Sequence, residues 1–97
     1  MGTLIYDSSS RFEIDDRALA HLQVVVVDKL RRRESFEWRL RDETHEASIW
    51  VTPATPLEFV YSGNRSAGLN RAWLEILSLA ASSTGGLSLI DEPTEIT

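Results

Sequence analysis

Residues 34–41 read Glu-Ser-Phe-Glu-Trp-Arg-Leu-Arg, so Phe36, Trp38 and Leu40 alternate with Glu37, Arg39 and Arg41. Such alternation belongs to a β-strand with one dry face and one wet face. The dry face carries large side chains, and a second layer must cover it. The segment just before supplies one. From Asp16 to about Arg32, the residues Ala18, Leu19, Leu22, Val25, Val26 and Leu30 share one side of a helical wheel drawn at about 100° per residue. Asp15 and Asp16 can cap the free N–H groups at its start, and Arg31, Arg32 and Arg33 suit the negative end of its dipole. The β-branched run Val24 to Val27 favours a strand locally. The caps and the spacing together decide for a helix.

The remaining elements follow from the same signals. Thr3–Tyr6 and Ser10–Ile14 are rich in β-branched and aromatic residues and flank Asp7-Ser8-Ser9, which favours a turn, so a hairpin is expected. Ala47–Val51 and Leu57–Tyr61 read as strands on either side of the proline loop Thr52–Pro56. A second helix is expected from a cap at Asn70, with Ser66 as the alternative cap. Leu69 and Leu74 are placed to form a hydrophobic staple, and Trp73, Ile76, Leu77, Ala80 and Ala81 form the buried stripe. Gly85-Gly86 ends this helix, Leu87–Ile90 is a last strand, and residues 91–97 form a polar tail expected to fray. The fold class expected is α+β, in the order ββαβββαβ. Its economical packing is a two-layer sandwich, one mixed or antiparallel sheet with both helices on one face. All 97 residues form a single domain.

Composition removes several functions. There is no cysteine, hence no disulfide framework, thiol nucleophile or Cys-based zinc site. The apolar run Val24–Val27 is far short of the about 20 residues that span a bilayer, and no basic leader precedes an apolar stretch. No membrane association is expected, and the cytoplasm is the compartment this predicts. Of the ten bases, nine are arginines and Lys29 stands alone, late in the first helix and after no glycine-rich loop. Schiff-base, nucleotidyl-lysine and P-loop chemistry all lose their lysine. Gly63-Asn64-Arg65-Ser66-Ala67-Gly68 has the outer spacing of a phosphate loop, but Leu69-Asn70 replaces the Lys and Ser/Thr such a loop requires.

His21 reads as a boundary residue of the apolar stripe and His45 as a loop residue; neither has zinc-ligand spacing. The acid pairs Asp15/Asp16, Asp42/Glu43 and Asp91/Glu92 read as cap, loop and tail. No catalytic residue, metal or cofactor is expected, which points away from an enzyme.

Two surfaces remain. Lys29, Arg31, Arg32, Arg33, Arg39 and Arg41 stand against Glu34 and Glu37, a local charge of +4 in a chain of net −5. The segment either compensates the helix dipole and pairs across strands, or forms an arginine surface for an acidic protein or nucleic acid. Arg65 and Arg71 could add weak anion binding at the start of the second helix. Val24 and Val27 fall on the far side of the first helix from its core stripe. Trp50 and Val60 are expected to share the outer face of their strands. Apolar residues off the core side suggest self-association, as a homo-oligomer such as a dimer.

The segments Leu19-Ala20-His21-Leu22-Gln23, Lys29-Leu30-Arg31-Arg32, Glu34-Ser35-Phe36, Ser48-Ile49-Trp50-Val51, Asn70-Arg71-Ala72-Trp73 and Gly85-Gly86-Leu87 together resemble a family of short actinobacterial proteins. Its members are about a hundred residues long, of unknown function, and are often labelled ATP-dependent DNA ligase. The resemblance covers nearly the whole chain. It implies a link to nucleic acid or nucleotide, but a ligase of that class uses the lysine of a Lys-x-Asp-Gly motif, and Lys29 is followed by Leu30-Arg31-Arg32. Members often carry a longer loop before the Ser-Ile-Trp strand and a histidine after it. Thr52 stands there in this chain, so no role of that histidine transfers. The reading is therefore a noncatalytic, self-associating interaction module. The alternative is a nucleic-acid- or nucleotide-associated protein without autonomous ligase activity.

Overall fold

The computed structural model describes residues 1–41, 46–63 and 68–94. Along them run β1 (Gly2–Tyr6), β2 (Ser10–Ile14), α1 (Asp16–Arg31), β3 (Phe36–Arg41), β4 (Glu46–Val51), β5 (Leu57–Val60), α2 (Arg71–Ala81) and β6 (Leu87–Ser88). This is the expected α+β order. The sheet differs from expectation: it is split into two three-stranded sheets, β2-β1-β5, which is antiparallel, and β4-β3-β6, in which β3 runs antiparallel to β4 and parallel to β6. The proline loop accounts for the split. Pro53 and Pro56 have no N–H to donate to a ladder, and Thr52 and Thr55 close a tight turn between them, with Thr55 N donating to the Thr52 carbonyl at 3.0 Å. β4 therefore ends in one sheet and β5 begins in the other. Asp7 N to the Pro56 carbonyl at 2.9 Å, and the Tyr6 hydroxyl to the Trp50 carbonyl at 3.1 Å, tie the two together.

The hairpin turn is built as its residues allow. Asp7 and Ser8 both have positive φ, 53° and 61°, and Ser9 N donates to the Tyr6 carbonyl at 3.1 Å, the arrangement of a type I′ turn. Asp15 caps α1 by accepting from Arg17 N and Ala18 N at 3.1 and 3.2 Å. The other end of α1 closes in a Schellman motif. Arg33 N reaches the Leu30 carbonyl at 3.0 Å and Glu34 N the Lys29 carbonyl at 3.1 Å. That motif needs a left-handed residue, and Arg33 fills the place with φ 60° where glycine is usual.

One core joins both sheets and both helices. The buried set takes Leu19, Leu22 and Val26 from α1, Trp38 from β3, Leu4 from β1, Val51 from β4, Leu77 from α2 and Leu87 from β6. The alternation of β3 holds, with Phe36, Trp38 and Leu40 buried and Arg39 and Arg41 exposed. α2 ends at Ala81 with Ser82 as its cap, so the chain turns before Gly85-Gly86 is reached. Gly86 instead brings β6 against β3. It has φ 81°, and a Cβ there would lie 2.8 Å from the Glu37 carbonyl oxygen.

Two substitutions test this backbone. Gly86→Ala should lower the unfolding free energy by about 2 kcal/mol, since it combines left-handed strain with a backbone clash. Arg33→Gly should raise it by about 1 kcal/mol by relieving the αL penalty. Both are read from denaturant midpoints. An unchanged midpoint for Gly86→Ala, or a destabilised Arg33→Gly, would contradict these assignments.

Candidate functional site

β6 pairs with β3 over only two positions, Trp38 with Leu87 and Arg39 with Ser88. The chain then leaves β3 because its next residues are held elsewhere. The Ile90 carbonyl accepts from Trp73 Nε1 at 2.8 Å, and Glu92 takes both Arg17 Nε and Nη2, at 2.9 and 2.7 Å. Asn70 Nδ2 also donates to Glu92 and to the Pro93 carbonyl, at 2.9 and 3.0 Å. The tail expected to fray is thus fastened through Pro93, while residues 95–97 lie outside the described residues. This departure leaves the edge of β3 uncovered at Leu40 and Arg41. A cleft of about 430 Å³ opens there, between β3, the half-exposed Leu89 and the end of β2 at Glu13 and Ile14.

The clasp that diverts the chain is charged. Arg17 first, and then Asn70, hold the Glu92 carboxyl down to about 2 from its ordinary 4.5. Behind it lies His21, which is fully buried rather than at a boundary. The Asn70 backbone N–H donates to His21 Nε2 at 2.8 Å, so Nε2 carries no proton; Nδ1 carries it and donates to the Arg17 carbonyl at 2.8 Å. The ring packs against Trp73 in a tilted arrangement, with a centroid distance of 4.4 Å and an interplanar angle of 35°.

The basic residues are not gathered in one place. Arg39 and Arg41 line the cleft together with Asp15, at the N-terminal end of α1. Arg31, Arg32 and Arg33 stand at its other end, after 16 helical residues or about 24 Å. Besides Arg17, three bases have acidic partners among the described residues: Lys29 with Glu34 at 2.8 Å, Arg32 with Asp28 at 3.0 Å and Arg41 with Glu46 at 2.9 Å. Lys29, whose side chain is only 12% exposed, also reaches the Ser82 hydroxyl at 3.2 Å, and it depresses the Glu34 carboxyl by hydrogen bonding to it. Arg71 lies on the outer face of α2 beside Leu74 and Leu79. Arg65 falls outside the described residues, as do His45, the Asp42/Glu43 pair and the alternative cap Ser66.

Of the apolar candidates, Trp50 is 59% exposed, Val24 and Val60 are exposed to a lesser degree, and Val27 is half-buried. Trp50 and Val60 belong to different sheets, on β4 and β5, so they do not share the face of one sheet as expected. Each strand is the outermost of its sheet. Sequence reasoning missed the cleft, since its cause is the early end of β6 and not any motif.

Residues 1–92 match the family model described as a domain of unknown function, DUF7882. The chain belongs to the DUF7882 family. No curated protein and no solved structure matches it. The DUF7882 match spans both sheets and both helices and stops at Glu92 itself. No helix among the described residues is long and apolar enough to cross a membrane.

The clasp gives this fold a pH dependence of definite sign. Because folding depresses the Glu92 carboxyl, its contribution is complete above about pH 4.5 and is lost as pH falls through about 2. The stability difference between wild type and Glu92→Gln should therefore hold from pH 7 to about 5 and close toward pH 2. Thermal unfolding of both across this range checks it. A difference unchanged at pH 2 would show that the carboxylate is not the group involved.

Proposed function

We propose that this DUF7882 domain is a noncatalytic interaction module that self-associates as a dimer. The observation that carries the reading is Trp50, 59% exposed on the six-residue outermost strand β4. An open strand edge presents unpaired N–H and C=O groups that a second copy can pair antiparallel about a two-fold axis. The β4 edge carries neither lysine nor proline, residues that discourage such pairing, and only Glu46 is charged along it. A large aromatic residue beside that edge supplies the area that anchors an interface. Val60 and the Val24/Val27 side of α1 are secondary surfaces for the same purpose.

Support for a noncatalytic role comes from Lys29. It is the sole lysine, and its ammonium is spent on Glu34 and Ser82, a setting unlike that of a nucleophile awaiting a nucleotide. The ligase label attached to the actinobacterial proteins this chain resembles finds no such lysine here. A cytoplasmic location accords with this reading.

The second reading, association with nucleic acid, a nucleotide or an acidic protein, draws on Arg31, Arg33, Arg39 and Arg71, which have no ion-pair partner among the described residues. It ranks behind because these bases are dispersed, and the net charge of −5 opposes a polyanion.

Mass by light scattering at increasing concentration distinguishes the two. The dimer mass is expected, falling to the monomer in Trp50→Lys with the circular dichroism unchanged. A wild type that stays monomeric, and that binds short duplex or single-stranded DNA at about 50 mM salt, would favour the second reading instead.

A further inference from the structure

Residues 90–94 cross the surface as a strap. Ile90 and Pro93 are half-buried, Asp91, Glu92 and Thr94 are exposed, and the stretch belongs to no helix or strand. Among the described residues, no backbone-to-backbone hydrogen bond fastens it. Side chains hold it instead. Trp73 Nε1–H donates to the Ile90 carbonyl, Arg17 Nε, Arg17 Nη2 and Asn70 Nδ2 donate to the Glu92 carboxylate, and Asn70 Nδ2 also donates to the Pro93 carbonyl. Three of these five hydrogen bonds end on Glu92.

The groups beneath the strap are of the opposite character. Trp73 and Asn70 are buried, and Asn70 is oriented from within the fold. Its backbone N–H donates to His21 Nε2, and its Oδ1 accepts from Trp73 N as the cap of α2. Neither contact involves the strap. Arg17 is placed by α1, whose Asp15 cap accepts from its backbone N–H, and its Nη1 donates to the Gly68 carbonyl at 2.7 Å. The donors are therefore set by the two helices and their caps, and they stay in place when the strap lifts away. Lifting it returns these donors to water, and the apolar surface it uncovers is confined to the half-buried Ile90 and Pro93.

Such a receptor has a defined complement. An indole N–H, an amide NH₂ and a guanidinium can only donate, so together they select acceptors. The order along the strap is a carbonyl at Ile90, a carboxylate two residues on at Glu92, and a carbonyl at Pro93. Pro93 brings no N–H that would need a partner of its own. We propose that Arg17, Asn70 and Trp73 form a docking site for an extended acidic segment of another protein, of the pattern Ile-x-Glu-Pro, and that residues 90–93 occupy it in cis as an exchangeable stand-in. Charge complementarity selects this occupant, since the guanidinium meets a carboxylate through two parallel N–H donors. The tethered strap competes at an effective concentration in about the millimolar range, so the site opens to a partner that is locally concentrated or that adds contacts beyond these residues. The β4 edge takes no part, so the docking site stands or falls separately from self-association.

The test supplies the strap in trans. The peptide acetyl-Leu-Ile-Asp-Glu-Pro-Thr-amide, which has the sequence of residues 89–94, is titrated into the ¹⁵N-labelled Glu92→Ala protein. The Arg17 Nε–H and Asn70 side-chain amide resonances should shift and saturate with a dissociation constant of about 1 mM, while Trp50 Nε1–H stays in place. Wild type should bind the peptide about tenfold more weakly, because its own strap competes. The same peptide with glutamine in place of its glutamate should also lose about tenfold. Circular dichroism checks that Glu92→Ala folds, and Glu92→Gln, which keeps the shape of the side chain, repeats the titration if it does not. Shifts that fail to saturate in the folded variant overturn the proposal. So does equal affinity for wild type and variant, or acetate at the same concentration producing the same shifts.

Discussion

The fold turns on a single buried hydrogen bond, from the Asn70 backbone N–H to His21 Nε2. Asn70 caps the start of α2 and His21 lies in the second turn of α1, so this one contact sets where the second helix starts against the first. Each further capacity of Asn70 is also used. Its side-chain oxygen accepts from Trp73 N as the helix cap, and its amide nitrogen holds Glu92 and Pro93. A buried side chain this fully satisfied specifies one arrangement, since displacing any partner leaves a polar group in a dry interior at a cost of about 1–3 kcal/mol.

The surfaces follow from that knot. Fastening Ile90, Glu92 and Pro93 near α1 and α2 draws the chain off β3 after two paired residues, and the cleft beside Trp38 is the space left. The proline loop acts separately, by forcing β5 out of the sheet that contains β4. Dividing one sheet into two exposes more strand edge than a single six-stranded sheet would. A chain of 97 residues with an exposed tryptophan beside such an edge has a physical reason to find a partner.

Local signals were legible in the sequence. The alternation of Phe36–Arg41, the caps at Asp15 and Asn70, and the hairpin turn at Asp7-Ser8 all depend on neighbours a few residues apart, and all stand in the structure. What was not legible depends on long-range partners. His21 is a border position on the helical wheel, yet it is buried because Asn70, 49 residues later, comes to meet it. Glu92 sits in a polar stretch that resembles a tail until Arg17, 75 residues away, binds it. Arg33 in a left-handed conformation went unread because arginine carries no signal for it; the Schellman hydrogen bonds decide that geometry. The arginines failed to make one surface for a simple reason: a 16-residue helix separates those at its end from those on the strand edge near its start.

The protonation of the His21 ring tests the central hydrogen bond most directly. A long-range ¹H–¹⁵N correlation spectrum at neutral pH distinguishes the two neutral tautomers from the protonated ring. The expected spectrum is that of a neutral ring with its proton on Nδ1 and Nε2 left as the acceptor for Asn70 N–H. A proton on Nε2 in the folded protein would contradict it, because two donors would then face each other at the contact that positions α2.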